Sequence, residues 1–309
     1  MARTHVILVT HTPQRLRRTI LGVAWSGLRP DTFTLSCDSD DPEIERVARA
    51  ACDEGAIGMT LVQRANTGKG RPAQARNNAV RALVERHDPD DADALVFFDG
   101  DCVPDHHAIE RHAAAIRPRR IVLGWRYDLS PDQDAAFDEG KLRAGALPFD
   151  PDASQTASIA ARQKRYRKQV FWKRFGIGKE HKPKVLGANF GLTLGDYRRI
   201  NGHDETFESW AQEDDDFGRR LYRAGVRPVL RLTDILAYHQ HHVTRAPDDW
   251  KASANAGRLE QPCETICRRG LTDPADQPPV RVAELPGRAP TLFRSEGRTN
   301  AAQTCANRA

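Results

Sequence analysis

The sequence predicts an α/β fold in which a mostly parallel sheet carries helices on both faces. Short apolar runs at residues 6–10, 33–37, 59–62 and 94–98 alternate with longer segments whose apolar residues recur at helical spacing. The last of these runs is apolar throughout, as expected for a central strand that is buried on both faces. Such an alternation is typical of parallel sheets, because parallel neighbours need a crossover connection, which is usually a helix.

The segments between these strands are the predicted helices. The first covers 14–27 and places Leu16, Ile20 and Val23 on one face. The second begins at Pro42, a residue that suits the first turn of a helix. The third follows a glycine-rich loop, begins at Pro72 and ends near residue 86.

The regular alternation ends near residue 128. A polar, basic insert is predicted at 131–184, and its part from 162 to 184 holds ten Lys or Arg, one acid and four interleaved aromatic residues. Regular patterns then return at 185–194, and they are followed by a predicted helix at 213–224 and predicted strands at 227–232 and 235–238. We interpret 1–270 as one domain that contains the insert, and 271–309, which lacks periodicity, as a poorly ordered tail.

Composition narrows the class of protein. The chain has 309 residues, of which 39% are hydrophobic and 29% charged, as in a globular protein rather than a disordered one. Its net charge of +5 favours anionic ligands without choosing among them. No apolar run reaches the length of a membrane span, and no secretory signal is visible. The six scattered cysteines suggest free thiols, so we expect a cytoplasmic protein, with contact at the inner membrane surface as an option.

Three groups of polar residues suggest chemistry. Asp99-Gly100-Asp101 follows the fourth strand, where open α/β sheets bind ligands, and two carboxylates at this spacing suit a hard divalent cation. The same tripeptide is also an ordinary turn. Four consecutive acids at 213–216 open a helix; acids there complement the helix dipole, but four repel one another, and one could serve as a general base.

The third group is a histidine cluster that follows the last apolar run. On a strand, His239 and His241 would point the same way, and a neutral imidazole could complete the coordination of a metal; a surface cluster without such a role is the alternative. Two further segments suit a nucleotide: the acidic loop 37–41 can accept hydrogen bonds from a base or a ribose, and the basic segment 66–76 can contact a diphosphate.

The order and spacing of these segments resemble the inverting family 2 glycosyltransferases of GT-A fold. The resemblance covers about residues 4–245 and is carried by VILVTHTPQRL, LSCDSDD, NTGKGRPAQARNNAV, LVFFDGDCVP and GANFGLTLGDYRRINGHDETFESWAQEDDDFGRRLYRAG. The last block also resembles the C-terminal half of galactosyltransferases. The resemblance implies a metal-dependent transfer of a sugar, with Mn²⁺ or Mg²⁺ as cofactor and a UDP-sugar as the expected donor.

The resemblance also implies roles for individual residues. On the donor side, Asp38 would contact the base, with Asp40 as a weaker candidate, while Arg76 would lie near the nucleotide and Asp99 would reach the ribose. The remaining assignments are Asp101 as a metal ligand, His239 as a second ligand with His241 as the alternate, Asp214 as the general base, and Trp210 and Glu213 on the acceptor side.

Two departures from the family leave the acceptor open. The family usually has two acids where this chain has Cys37 and Asp38, and the basic insert has no counterpart in it. The acceptor is expected to be a glycan, a lipid-linked molecule or another polyanion. Three alternatives stand beside this interpretation: a nucleic-acid-binding protein that works through 162–184, a glycosyltransferase that modifies DNA, and an inactive scaffold or sugar-binding module.

Overall fold

The computed structural model describes residues 2–209, 212–243, 255 and 257–287. The strands in these ranges are β1 (Thr4–Thr10), β2 (Thr32–Cys37), β3 (Met59–Gln63), β4 (Ala94–Asp99), β5 (Cys102–Pro104), β6 (Arg120–Leu123), β7 (Trp125–Asp128), β8 (Asn189–Thr193), β9 (Arg227–Leu230), β10 (Leu236–His239) and β11 (Arg281–Leu285). The α-helices are α1 (Leu16–Ala24), α2 (Pro42–Gly55), α3 (Pro72–His87), α4 (Ala108–Ala115), α5 (Pro131–Ala135), α6 (Glu139–Arg143), α7 (Ala153–Lys173), α8 (Leu194–Arg199) and α9 (Glu213–Arg223).

The large sheet is mostly parallel. Its strand order is β11-β3-β2-β1-β4-β8-β6-β9. β1 runs parallel to β2 and β4, β2 runs parallel to β3, and β6 runs parallel to β9. Only β8 and β11 run against their neighbours within the described sheet. The carboxyl ends of β1, β2 and β4 therefore meet at one edge.

Helices cover both faces of this sheet. Successive residues of a strand point to opposite faces, so Ile7 and Val9 pack in the apolar cluster of α3 and α9, while Val6 and Leu8 pack in that of α1 and α2. All four side chains are buried. The predicted α/β class, with a mostly parallel sheet between helices, is therefore confirmed, and two apolar layers fix the positions of the strand ends.

A second sheet extends from the edge where the parallel strands end. It has three strands in the order β5-β10-β7, with β10 antiparallel to β5 and parallel to β7. The register places His239 between Cys102 on one side and Asp128 on the other. Residues from three distant parts of the chain thus lie side by side on neighbouring strands of this sheet.

The prediction of a poorly ordered tail is wrong for residues 271–287. Leu271 is buried in the core, and β11 pairs along its whole length with β3. Leu285, the last residue of that strand, is also buried. An edge strand needs one partner's backbone and a few apolar side chains, so its short sequence carries little periodic signal. Residues 288–309 lie outside the described ranges.

The basic insert contains α5, α6 and α7. The carboxylate of Asp152 caps the first turn of α7 by accepting the N–H of Gln155. Ile159, Gln163 and Tyr166 form the buried stripe of this helix. Most of its remaining residues are exposed, and those from residue 162 onward are rich in Lys and Arg. Among the described residues, no helix combines the length and apolar composition needed to cross a membrane.

Candidate active site

The Asp-Gly-Asp turn lies at the edge where the parallel strands end. Asp99 is the last residue of β4, and the N–H of Gly100 donates to the carbonyl of Val9 on β1. A Cβ on Gly100 would lie 2.7 Å from the Cβ of Thr10, which real side chains do not allow. Glycine therefore lets the turn rest against β1, and this contact sets the direction in which Asp99 and Asp101 leave the sheet.

Three potential metal-binding atoms converge beside this turn. Asp101 Oδ2 lies 3.5 Å from His239 Nε2 and 3.1 Å from His242 Nε2, and the two nitrogens are 3.2 Å apart. Two ligands that are bound about 2.1 Å from one ion at a right angle lie about 3.0 Å apart. A carboxylate and two imidazoles at this spacing fit a divalent cation such as Mn²⁺.

Cys102 is also close to this group, but it is a poor ligand for such a cation. Its thiol points at Asp101 Oδ1, 3.3 Å away, and its side chain is fully buried. Burial, reinforced by the charge of Asp101, raises the pKa of the Cys102 thiol well above its ordinary value. Sulfur is a soft ligand, whereas Mn²⁺ and Mg²⁺ favour harder oxygen and imidazole ligands, so the carboxylate and imidazole set is the better fit.

Asp128 orients the ring of His239. Its Oδ1 lies 2.9 Å from His239 Nδ1, and a proton held there fixes the ring so that Nε2 faces Asp101. Burial alone would lower the pKa of His239, but its hydrogen bonds to Asp101 and Asp128 raise that pKa to about 9. A cation at this position would replace the proton on Nε2, so we expect its binding to release a proton.

Among the described residues, His239 and His242 are the histidines that approach Asp101, and the role of His241 as the alternate ligand stays a prediction. β10 ends at His239, so the alternation of a strand does not continue to 241. The His241 side chain is exposed, and its carbonyl accepts a hydrogen bond from Arg15 Nε at 2.9 Å. After β10, the backbone N–H of buried Gln240 donates to the carbonyl of Asp101, and His242 rather than His241 then reaches the Asp101 carboxylate.

Arg76 connects the Asp-Gly-Asp turn with the acid run of α9. Its guanidinium, on the buried side of α3, lies 3.1 Å from Asp99, 3.5 Å from Asp214 and 3.8 Å from Glu213. Burial alone would lower the pKa of Arg76, but these three carboxylates hold it above its ordinary value. Arg76 thus lies between the two acidic motifs, and its contact with the nucleotide stays a prediction.

Asp214 has one oxygen engaged and one without a hydrogen bond. Oδ2 accepts the N–H of Gly187 at 2.8 Å, while buried Oδ1 has no hydrogen-bond partner and lies 3.5 Å from Arg76. A Cβ on Gly187 would overlap both the Asp214 carboxylate and the Arg76 guanidinium. The close backbone approach therefore holds the carboxylate in one orientation, as a general base requires.

The other acids of this run have different surroundings. Asp216 is buried and pairs with Arg219 and Arg220 on its own helix, so it stabilises the structure. Asp215 pairs with Lys182 and Lys184 of the insert, at 3.2 and 3.5 Å.

Glu213 is the acid of this run whose proton affinity changes most clearly. Burial and the neighbouring charge of Asp214 raise its pKa to about 7, against the opposing charge of Arg76. At neutral pH this carboxyl is therefore poised between its protonated and ionised forms, directly beside Asp214.

Asp38 is engaged by its own chain. One oxygen lies 2.8 Å from Arg64 Nη2, and the other accepts the backbone N–H of Arg71. Asn66 also donates to Asp38, so this residue holds the loop between β3 and α3 in place. Burial raises the pKa of Asp38 against the charges that surround it. Asp40, by contrast, is exposed.

Sequence reasoning missed His242 and Asp128. His242 follows a turn without a periodic pattern, and Asp128 lies on a short strand whose pairing with β10 is not visible in the sequence. A signal was present for His242, since it belongs to the predicted cluster. Trp210, expected on the acceptor side, lies outside the described residues.

Comparison with known proteins identifies one family match. Residues 174–247 match the family model described as the N-terminal domain of galactosyltransferase. This segment holds the acid run, His239 and His242, but covers about a quarter of the chain. No curated protein sequence matches the chain.

Solved structures with a similar arrangement share little sequence with this chain. S. aureus TarS 1–349 has a TM-score of 0.47 and 11% identity over 77% of this chain and 60% of that chain. Its complex with UDP-GlcNAc has a TM-score of 0.48 and 11% identity over 79% and 60%. GalNAc-T7 with UDP, GalNAc and Mn²⁺ has a TM-score of 0.47 and 13% identity over 84% and 47%. The chain thus spans less than two thirds of these proteins.

Proposed function

We propose that the chain is a GT-A-type glycosyltransferase that moves a sugar from a nucleoside diphosphate, a UDP-sugar, onto an acceptor hydroxyl with inversion. The observation that carries the proposal is the convergence of Asp101, His239 and His242 at the strand ends, with Asp214 held by Arg76 beside them. The family match over the segment with the acid run supports the same class of reaction.

Each group has a chemical task in this proposal. The carboxylate of Asp214 accepts the proton of the acceptor hydroxyl as the acceptor oxygen attacks the anomeric carbon. The bond between that carbon and the diphosphate oxygen breaks in the same step, and the electron pair leaves with the diphosphate. A divalent cation held by Asp101, His239 and His242 would offset the charge of the leaving diphosphate. Asp128 keeps His239 in the tautomer that faces the site.

On the donor side, the proposal retains Asp38, Asp40, Arg76 and Asp99. Asp38 and Arg76 act by shaping the nucleotide site, because both are already paired within the chain. Asp99 is less enclosed and can reach a ribose hydroxyl. The proposal also retains Glu213 on the acceptor side, where it neighbours the base. An intact ligand set and a positioned base favour an enzyme over an inactive sugar-binding module.

A donor screen tests this function. The purified protein is incubated with UDP-, GDP-, dTDP- and CMP-sugars in Mn²⁺, in Mg²⁺ or in EDTA, and release of the free nucleotide is measured. The proposal expects slow release from at least one UDP-sugar with Mn²⁺ or Mg²⁺, and only background release in EDTA and in Asp214→Asn. If no nucleotide sugar is bound or hydrolysed under any condition, the proposal is overturned.

A further inference from the structure

The end of α7 and the loop after it form an exposed apolar knob. Phe171, Trp172, Phe175 and Ile177 are between 50% and 64% exposed. The sequence pattern leaves open whether these aromatics pack on the domain, and the structure separates them: Tyr166 is buried, whereas the knob is not. Exposed clusters of large apolar side chains mark binding surfaces, because their contact with water is unfavourable.

The knob is surrounded by the densest positive charge of the protein. Residues 162–184 hold ten Lys or Arg and one acid, a formal charge of +9, whereas the whole chain carries +5. The rest of the chain is therefore net negative, at −4. Six of these cations are exposed and have no ion-pair partner among the described residues: Lys164, Arg165, Arg167, Lys168, Arg174 and Lys179.

The chain holds the knob in a fixed position. Lys173 points the other way, with its ammonium 4.1 Å from the centre of the Tyr222 ring, and donates to the carbonyls of Glu180 and Lys182. Tyr222 donates to the carbonyl of Pro183, 2.7 Å away. The loop is therefore tied to α9 at its base, while its apolar tip remains in solvent.

The arrangement of the rings favours a lipid surface. Phe171 packs edge-on against Trp172 and Phe175, with ring centres 5.4 and 5.5 Å apart, so the rings form one compact wedge. Single-stranded nucleic acid needs separate ring faces on which successive bases stack, and Ile177 has none to offer. A second copy of this surface would carry the same excess of positive charge and would be repelled.

We infer that the knob and its surrounding cations bind an anionic lipid bilayer. Apolar side chains enter the boundary between headgroups and acyl chains, and Lys and Arg meet the negative headgroups. Lys182 and Lys184, at the end of this loop, form ion pairs with Asp215, which is next to Asp214 in the chain. Docking therefore brings the acid run close to the membrane. A further step rests on the proposed function: an acceptor held in the membrane would then reach Asp214.

Vesicle sedimentation tests the inference with the full chain and without metal or nucleotide sugar, so its result does not depend on the proposed function. Vesicles contain phosphatidylcholine alone or with about one third phosphatidylserine. We expect binding to the anionic vesicles at least about tenfold tighter than to neutral ones, and weaker as salt rises. Replacing Phe171, Trp172 and Phe175 with Ser should weaken this binding on the order of tenfold or more.

The charged residues are tested separately. A variant with Gln at Lys164, Arg165, Arg167 and Lys168 should weaken anionic-vesicle binding about 600-fold, since each of the four cations contributes about fivefold. A matched control should bind anionic vesicles as the wild type does. It carries Gln at four exposed arginines outside the insert: Arg46, Arg49, Arg86 and Arg268. All altered residues are on the surface, so unchanged thermal unfolding verifies that the variants fold.

Three results overturn the inference. The first is equal binding of the wild type to neutral and anionic vesicles. The second is unchanged vesicle binding by both the Ser and the Gln variants. The third is absence of vesicle binding together with tight, salt-sensitive binding of a single-stranded oligonucleotide, or with a stable dimer in sedimentation equilibrium that the Ser variant dissociates.

Discussion

The guanidinium of Arg76 lies 3.1 Å from Asp99 and so bridges the end of a central strand to the acid run of α9. Arg76 is buried, and both acidic groups would repel each other without it. One cation between three carboxylates allows the turn and the helix to approach. The closeness of the two motifs therefore depends on a residue of a third element.

The first prediction concerns this bridge. Arg76→Met should lower the free energy of unfolding by about 3–5 kcal/mol, because it leaves buried carboxylates without their cation. Urea denaturation at neutral pH measures the change. Arg86→Met on the same helix removes an exposed ion pair with Glu284 and should cost less than about 1 kcal/mol. Equal losses in the two variants would contradict the bridging role.

The second prediction concerns pH. The pKa of Glu213 is about 7 in the folded protein and near its ordinary 4.5 in the unfolded chain, so between these values the folded state binds more protons. Stability should therefore fall as pH rises through this window, by about 1–3 kcal/mol from this group. Burial and the charge of Asp214 raise the pKa of Glu213, whereas the charges of Arg76 and Lys184 lower it.

Glu213→Gln should remove this part of the pH dependence. The measurement is urea denaturation at several pH values from about 4.5 to 7.5, with Glu110→Gln, an exposed position on α4, as control. Wild type and the Glu110 variant should lose stability in parallel across the window, whereas the Glu213 variant should lose less. Parallel curves for all three proteins would show that Glu213 titrates normally.

The third prediction separates two histidines. His242→Ala should weaken Mn²⁺ binding about 10- to 100-fold, since it removes one of three converging atoms. His241→Ala, the neighbouring change on an exposed side chain, should leave it nearly unchanged. Titration of free Mn²⁺ followed by electron paramagnetic resonance gives both affinities. If His241→Ala weakens Mn²⁺ binding more than His242→Ala does, His241 is the ligand, as the alternation of side chains along a strand predicts.

The elements and the site differ in how much of each could be predicted. The first four strands and their helices follow from local apolar periodicity, which survives in the fold because each element buries one face or both. Asp101 follows the predicted fourth strand and His239 follows the last apolar run, and the resemblance already assigned both residues to the metal. Four features could not be anticipated, because each depends on contacts between distant segments that leave no periodic signal in the sequence. They are the positions of His242 and Asp128, the partners of Arg76, and β11.

The fourth prediction concerns the base. Asp214→Asn keeps the size of the side chain but cannot take up a proton, so kcat should fall about a hundredfold or more, while donor affinity stays within a few fold. Asp215→Asn is the matched control, because Asp215 is already paired with Lys182 and Lys184. A larger loss of kcat in the Asp215 variant would move the base to the neighbouring position.

The central claim is that Asp101 and its histidines hold a cation that binds a nucleoside diphosphate. Isothermal titration of UDP into the protein, with and without Mn²⁺, tests it most directly. We expect Mn²⁺ to strengthen UDP binding to the wild type by at least about tenfold, and we expect Asp101→Ala to abolish this gain while Asp99→Ala keeps most of it. UDP affinity that is the same with and without Mn²⁺ in the wild type, or the same Mn²⁺ gain in Asp101→Ala, would show that Asp101 holds no such cation.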